Sequence, residues 1–331
     1  MTDLHGVPVL VTGADGFIGS HLAERLVAEG ARVRAFCLYN SRGSAGWLDE
    51  TDPAVRAAME VVFGDIRDAR LVERAAAGAQ VVFHLAALIA IPYSYHAPES
   101  FVDTNVRGTL NVLEAAHRAG ARRFIQTSTS EVYGTPAELP IRETHPLNAQ
   151  SPYAATKVAA DQLALAFGRS FGLPVVVLRP FNTYGPRQSQ RAVLPTMLRQ
   201  LIAGRQEIRL GRLDTRRDLT FVADTVDGFV RAATAPGIDD EVIQLGTGRA
   251  ESIGELFEIA CRQLGSGARP ILDPTRLRPD ASEVAALQSD PAKARERLGW
   301  TASTDLETGL AATIDWIRRH PEARDPDDVQ L

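Results

Sequence analysis

Residues 9–21 read VLVTGADGFIGSH. A short β-rich run, Pro8–Thr12, leads into Gly13, Gly16 and Gly19, and a helical pattern over His21–Glu29 follows. Glycines at such a turn let the backbone come close to a pyrophosphate. The helix that opens behind them offers unbonded N–H groups and the positive end of its dipole. Three glycines alone carry little information. Set between a strand and a helix at the start of a chain, they predict a dinucleotide site.

Working outward, β-rich runs alternate with helical stretches. Strands are expected at Arg32–Leu38, Met59–Phe63, Val81–Leu85, Arg123–Thr127 and Val175–Arg179. Helices are expected over Asn105–Ala119, stopped by Gly120, and over Ala154–Phe171. This alternation, with runs of Val, Ile and Leu, predicts an α/β fold built on a doubly wound parallel sheet. Beyond about residue 180 the pattern turns irregular, with short strands at Glu207–Leu210 and Val242–Leu245. The expected division is a dinucleotide-binding unit over 1–180, a smaller substrate unit over 181–320 with segments returning to the sheet, and a polar tail over 321–331.

Composition narrows the function classes. The 331 residues carry a formal net charge of −5 with no run of like charges, which argues against a nucleic-acid partner. No stretch approaches the roughly 18 apolar residues of a membrane span. No basic and apolar leader precedes the first strand, and two isolated cysteines, Cys37 and Cys261, fit a reducing cytoplasm. No spacing suggests a metal site. His84, on a buried strand, is expected to be a hydrogen-bonded core histidine, and Asp224 a structural helix N-cap.

The second strand ends Phe36-Cys37-Leu38-Tyr39-Asn40-Ser41-Arg42, with no acidic residue for a ribose. Asn40 can bond ribose hydroxyls without charge, whereas Ser41 and Arg42 suit a 2′-phosphate, so NAD is favoured with NADP left open. Asp65 and Ile66 are placed for an adenine edge or for a plain turn. Further on, SPYAATK at 151–157 sets Tyr153 and Lys157 one helical turn apart. A lysine ammonium beside a phenol is expected to favour the phenolate and so make Tyr153 a base for a sugar hydroxyl. Just upstream, TSTSEVYG at 127–134 closes a strand with a row of hydroxyls and a carboxylate, Glu131.

Taken together, these segments resemble the extended short-chain dehydrogenase/reductases of the NAD-dependent epimerase/dehydratase family. The similarity also runs through FHLAA at 83–87, NVRGTLNVLEAA at 105–116, RPFNTYGPR at 179–187, RRDLTFVADTVDGF at 216–229 and RPDASEVAALQSDPAKARERLGW at 278–300. LIAIPYSYHAPESFVDTNVRGT and NTYGPRQSQRAVLPT are most similar to the N-acetylhexosamine 4,6-dehydratases of the legionaminic acid route. The resemblance implies a Rossmann-type domain, a smaller C-terminal domain for a nucleotide diphospho-sugar, and a homodimer joined by paired helices. It implies cofactor contacts from Gly13, Gly16, Phe17, Ile18, Gly19, Leu85, Ala86, Ala87 and Asn105. It assigns Tyr153 and Lys157 as the catalytic pair and Thr129 as a sugar-hydroxyl ligand. Arg217 and Arg278, with Asn182 and Arg191, fall at the diphosphate end.

The same resemblance implies oxidation at sugar C4 and then a parting of routes. An epimerase returns hydride to the other face, a decarboxylase acting on a uronic acid loses carbon dioxide, and a 4,6-dehydratase removes the C5 proton and expels the 6-hydroxyl. Glu131 stands where the dehydratases carry their C5 base. Ser130 stands where many of them carry an aspartic acid that protonates the leaving hydroxyl. GDP-mannose-type dehydratases also read Ser-Glu here, and uronate decarboxylases share Thr-Ser-Glu. The expected activity is therefore a nucleotide-sugar 4,6-dehydratase, with an epimerase or decarboxylase as the alternative. A non-catalytic cofactor-sensing protein is a third class, disfavoured by the intact Thr129, Tyr153 and Lys157.

Overall fold

The computed structural model describes residues 3–321; the expected polar tail lies almost wholly outside them. Seven strands form one parallel sheet: β1 (Pro8–Thr12), β2 (Arg32–Leu38), β3 (Met59–Gly64), β4 (Val81–His84), β5 (Arg123–Thr127), β6 (Val175–Pro180) and β7 (Glu241–Leu245). Their spatial order is β7-β6-β5-β4-β1-β2-β3. The order reverses between β1 and β4, and the carboxyl ends of those two strands frame the crevice in which such sheets hold ligands. The expected Rossmann-type α/β sheet is present.

Each face of the sheet is covered by helices, which is why β1, β4 and β6 read as near-continuous apolar runs rather than alternating. On one side α1 (Phe17–Ala28) packs beside a helix from the second half of the chain. On the other lie α2 (Ala69–Ala76), α3 (Gly108–Arg118) and α4 (Pro152–Phe171). In the second half, α5 (Val193–Ile202), α6 (Val222–Thr234), α7 (Ile253–Leu264) and α8 (Leu306–Arg319) follow, and α6 is the partner of α1. A separate core gathers Met197, Leu198, Leu256 and Ile314 from α5, α7 and α8, with Ile208 and Leu210. The parallel pair Glu207–Leu210 and Arg269–Leu272 edges it.

The helix expected from Asn105 starts earlier and is not uniform. Pro98–Phe101 is α-helical, Val102–Arg107 is a π-helical turn, and only then does α3 begin. A π turn shifts the phase of the side chains around a helix axis and is common beside functional sites. Here it carries Asn105, which is 1% exposed.

Asp224 is structural, though not as an N-cap. Phe221 occupies that position, and Asp224 sits inside the first turn of α6. Its carboxylate accepts from the Ser303 and Thr304 N–H groups, at 3.1 and 3.0 Å, and so anchors the segment ahead of α8. The VADT pattern read as a cap because an aspartate near a helix start is usually one.

Candidate active site

The glycine loop makes a cradle that side chains would fill. Gly13 has φ +71°, and a Cβ there would stand 2.8 Å from the Ala86 backbone. One on Gly19 would stand 2.0 Å from the Gly13 carbonyl oxygen. Gly16 caps α1 with no side chain, and helical bonding begins with the Ser20 N–H donating to the Gly16 carbonyl at 3.0 Å. The N–H groups of Phe17, Ile18 and Gly19 thus lie in the unbonded first turn, at the positive end of the helix. Residues of this kind, in this shape, fit a dinucleotide pyrophosphate.

Leu85, Ala86 and Ala87 run alongside. The Leu85 N–H donates to the Thr12 carbonyl at 3.1 Å and the Ala86 N–H to Thr12 Oγ1 at 3.3 Å. Thr12 Oγ1 also lies 2.7 Å from His84 Nδ1. Thr109 Oγ1 donates to the Asn105 carbonyl at 2.6 Å and so must accept from His84 Nε2, at 3.0 Å. The chain of donors fixes His84 as the neutral Nε2–H tautomer. Burial, helped by the charge of Lys157, pushes its pKa down to about 3. His84 is the satisfied core histidine expected of it.

Three expected cofactor contacts are already engaged elsewhere. Asn40 folds its own loop: its amide donates to the Ser44 carbonyl at 2.7 Å, and its oxygen accepts from the Arg42 and Ser44 N–H groups. An Asn after a strand closes a turn as readily as it meets a ribose, and here the turn wins. Ser41 beside it is exposed. Asn105 spends its side chain on the Leu88 N–H and carbonyl and on Thr156 Oγ1, at 2.8, 2.9 and 3.0 Å. It holds the loop after β4 against α4. Asp65 grips Arg67 at 2.5 Å, which draws its carboxyl below the usual range, while Ile66 is buried under Gly108.

The chemistry-bearing residues do converge. Thr129 caps the short turn Ser130–Tyr133, its hydroxyl accepting from the Glu131 N–H at 3.2 Å. That leaves the hydroxyl hydrogen free to donate. Tyr153, in the first turn of α4, is 8% exposed. Burial pushes its phenol well above the usual value, Thr129 pulls it back, and the charges of Glu131 and Asp161 push it up further. Lys157 lies one helical turn further along α4. Its ammonium donates to the Thr127 carbonyl at 2.5 Å, and burial lowers its own pKa to about 8. Ser130, the first residue of the turn, is 3% exposed.

Glu131 meets an arginine cluster. Arg278 stands 3.6 Å from its carboxylate, a charge contact longer than a hydrogen bond. Arg217 is 7% exposed and donates to the Val284 carbonyl at 2.8 Å. Burial lowers its pKa, the Glu131 charge raises it and Arg278 lowers it, which places all three groups in one field. Asn182 is half-buried on the short strand after β6, with its side-chain oxygen unpartnered. Arg191 is exposed on the loop ahead of α5 and is not drawn into the cluster.

Two features escaped the sequence reading. Beneath Lys157, Asp161 accepts from Ser128 Oγ at 2.6 Å and pairs with Arg179 at 3.1 Å. Arg179 in turn donates to the Tyr133 hydroxyl at 2.9 Å. A charged residue within VVVLRP was the available signal, because a buried arginine needs a buried partner. The other is Arg187, at φ +69°, which donates to Glu24 of α1 at 2.7 Å and ties the loop after β6 to the helix behind the glycine loop.

Among the described residues no cluster of His, Cys, Asp and Glu suits a metal ion, and no helix is long and apolar enough to cross a membrane. Comparison with known proteins agrees with the geometry. The family model described as GDP-mannose 4,6 dehydratase matches residues 10–313. The chain is 37% identical to a UDP-glucose 4-epimerase of Mycolicibacterium smegmatis, covering 93% of this chain and 98% of that one. It is 36% identical to a dTDP-glucose 4,6-dehydratase of Streptomyces antibioticus, covering 94% and 92%. A solved structure of MoeE5 with UDP-glucuronic acid and NAD superposes with a TM-score of 0.84 at 31% identity, covering 95% of this chain and 99% of that one. With the glycine cradle, the Thr129, Tyr153 and Lys157 cluster and the matches along nearly the whole chain, the protein belongs to the GDP-mannose 4,6 dehydratase family, among the extended short-chain dehydrogenase/reductases that act as nucleotide-sugar epimerases or dehydratases.

Proposed function

We propose that the protein is a nucleotide-diphospho-sugar 4,6-dehydratase that gives a 4-keto-6-deoxy product. The observation that carries this reading is Glu131, a carboxylate held on the turn capped by Thr129 and close enough to Tyr153 to shift its phenol. NAD, which the MoeE5 structure contains, supplies a reversible hydride acceptor at C4. Gly13, Gly16 and the first turn of α1 hold its pyrophosphate. Thr129 and Tyr153 bind the sugar 4-hydroxyl, and Tyr153 takes its proton as C4 is oxidised. The ketone acidifies the C5 proton, which Glu131 removes, and the same group protonates the 6-hydroxyl as it leaves as water; return of the hydride to C6 and of a proton to C5 then completes the 4-keto-6-deoxy product. Ser130, buried next to Glu131 in the same turn, is assigned the role of orienting that carboxylate. Arg217, Arg278 and Asn182 hold the diphosphate end in the second half of the chain, and the working unit is a homodimer.

A second reading, a uronate decarboxylase or uronate epimerase, draws on the Arg278 guanidinium 3.6 Å from Glu131. A cation at that point also suits a C6 carboxylate, and guanidinium groups bind carboxylates in matched geometry. A panel of UDP, GDP, dTDP and CDP sugars, N-acetylhexosamines and uronates included, separates these routes by product mass: loss of water, loss of carbon dioxide, or none. For the first reading, Glu131→Gln is expected to keep reduction of bound NAD and to slow water elimination by roughly 10²–10⁴-fold. Normal elimination by this variant would refute the role of Glu131.

A further inference from the structure

Lys157 is one of the chain's two lysines, Lys293 being the other. It is 5% exposed, and its ammonium donates to a backbone carbonyl, that of Thr127. A carbonyl carries no charge, so it stabilises an ammonium far less than a carboxylate does. Four residues on along α4, Asp161 is fully buried. Its Oδ2 accepts from Ser128 Oγ and from the Arg179 guanidinium, while its Oδ1 has no hydrogen-bond partner. Ser128 is the residue between Thr127, whose carbonyl receives the ammonium, and Thr129, whose hydroxyl meets Tyr153.

We propose that Asp161 is a positioning residue for the proton-transfer pair: it fixes the Thr127–Thr129 backbone through Ser128 and holds Lys157 as an ammonium through its charge. Other titratable and charged groups around this point do not replace it. On α4 itself Tyr153 is a neutral phenol raised by burial. From β4 comes neutral His84, and from the turn after β5 come Tyr133, bonded to Arg179, and Glu131, paired with Arg278. Arg179 from β6 is the counter-ion of Asp161. The segment ahead of α3 contributes only the uncharged Asn105, through Thr156. Of these, Asp161 is the group whose charge raises Lys157 against the pull of burial.

The role assigned to Tyr153 and Lys157 rests on the proposed function, so the decisive test is independent of turnover. Protein labelled with ¹³C at lysine Cε gives two resonances, from Lys157 and Lys293. In the wild type, Lys157 is expected to titrate near pH 8. In Asp161→Asn, which keeps the acceptors and loses the charge, its midpoint is expected to fall by at least about one pH unit, with Lys293 unmoved. Ser128→Ala, which keeps the charge, should leave the Lys157 midpoint in place. An unchanged Lys157 midpoint in folded Asp161→Asn overturns the proposal. If that variant does not fold, the double variant Asp161→Asn, Arg179→Gln buries no unpaired charge and is read in the same way. In the loaded enzyme, the alkaline limit of NAD reduction should follow the Lys157 midpoint in each variant. A Lys157 shift without any sugar-nucleotide turnover would sink the proposed function while supporting Asp161.

Discussion

Acidification should unfold this protein in part through one residue, His84. Its folded pKa is about 3 against an ordinary 6.5. The cause is structural: the ring is 2% exposed, its Nδ1 must accept from Thr12 and its Nε2 must donate to Thr109. Protonating Nδ1 would bury a charged ring inside the sheet and turn the Thr12 hydroxyl hydrogen away from it. The unfolded chain binds the proton more tightly, so stability is full above pH 6.5 and is lost as pH falls toward 3. The whole gap of about 3.5 pH units corresponds to on the order of 5 kcal/mol, of which about 2 kcal/mol is lost between pH 7 and pH 5. Urea unfolding at pH 7, 6 and 5, followed by tryptophan fluorescence, reads this directly. His84→Gln has no proton to gain, so its stability should fall less steeply over that range by about 2 kcal/mol, whatever its stability at pH 7. Parallel slopes for the two proteins would refute the assignment of His84 as a buried neutral ring.

Other outcomes follow from the same geometry. Gly19→Ala drives a Cβ into the Gly13 carbonyl, 2.0 Å away, so NAD affinity by calorimetry should drop at least tenfold. Asn105→Ala strands the Leu88 N–H and carbonyl, costing about 1–3 kcal/mol by urea unfolding and loosening the loop after β4. Because Lys157 loses its proton near pH 8, NAD reduction by substrate should decline as pH rises through that value. A rate that holds flat to pH 10 would show that the ammonium is not needed.

The glycine loop and the sheet were legible because their signals are local. A strand, a tight turn and a helix occupy consecutive residues, and the buried runs of β4, β5 and β6 have one plausible environment. Thr129, Tyr153 and Lys157 were legible through family resemblance, and the fold brings them together. The internal bonds of Asn40 and Asn105 were not legible for a shared reason: an asparagine side chain offers a donor and an acceptor, and sequence does not say which neighbours take them. The π turn at Val102–Arg107 has no residue signature; it is set by the packing of that segment against α4. Ser128, Asp161 and Arg179 lie on three separate elements, and only folding reveals that one carboxylate joins them.

The tyrosine–lysine pair is less prepared for base chemistry than its spacing suggests. In the chain alone, the influence that eases ionisation of Tyr153 is Thr129; burial, Glu131 and Asp161 all oppose it. Lys157 meanwhile gives its ammonium to Thr127. The Asp161 charge that raises Lys157 and the charge of Glu131 therefore both hold the phenol in its neutral form. A phenol in that field releases its proton only when a positive charge enters the cleft or Glu131 is drawn further toward Arg278 and Arg217. Filling of the cleft, rather than the helix register of Tyr153 and Lys157, then sets when the base becomes active. Glu131→Gln tests this on the free protein: removing one opposing charge should lower the pH at which Tyr153 ionises, seen as phenolate absorbance at lower pH than in the wild type. An unchanged phenolate titration would show that Glu131 does not govern Tyr153, and would remove the link between the C4 and C5 steps.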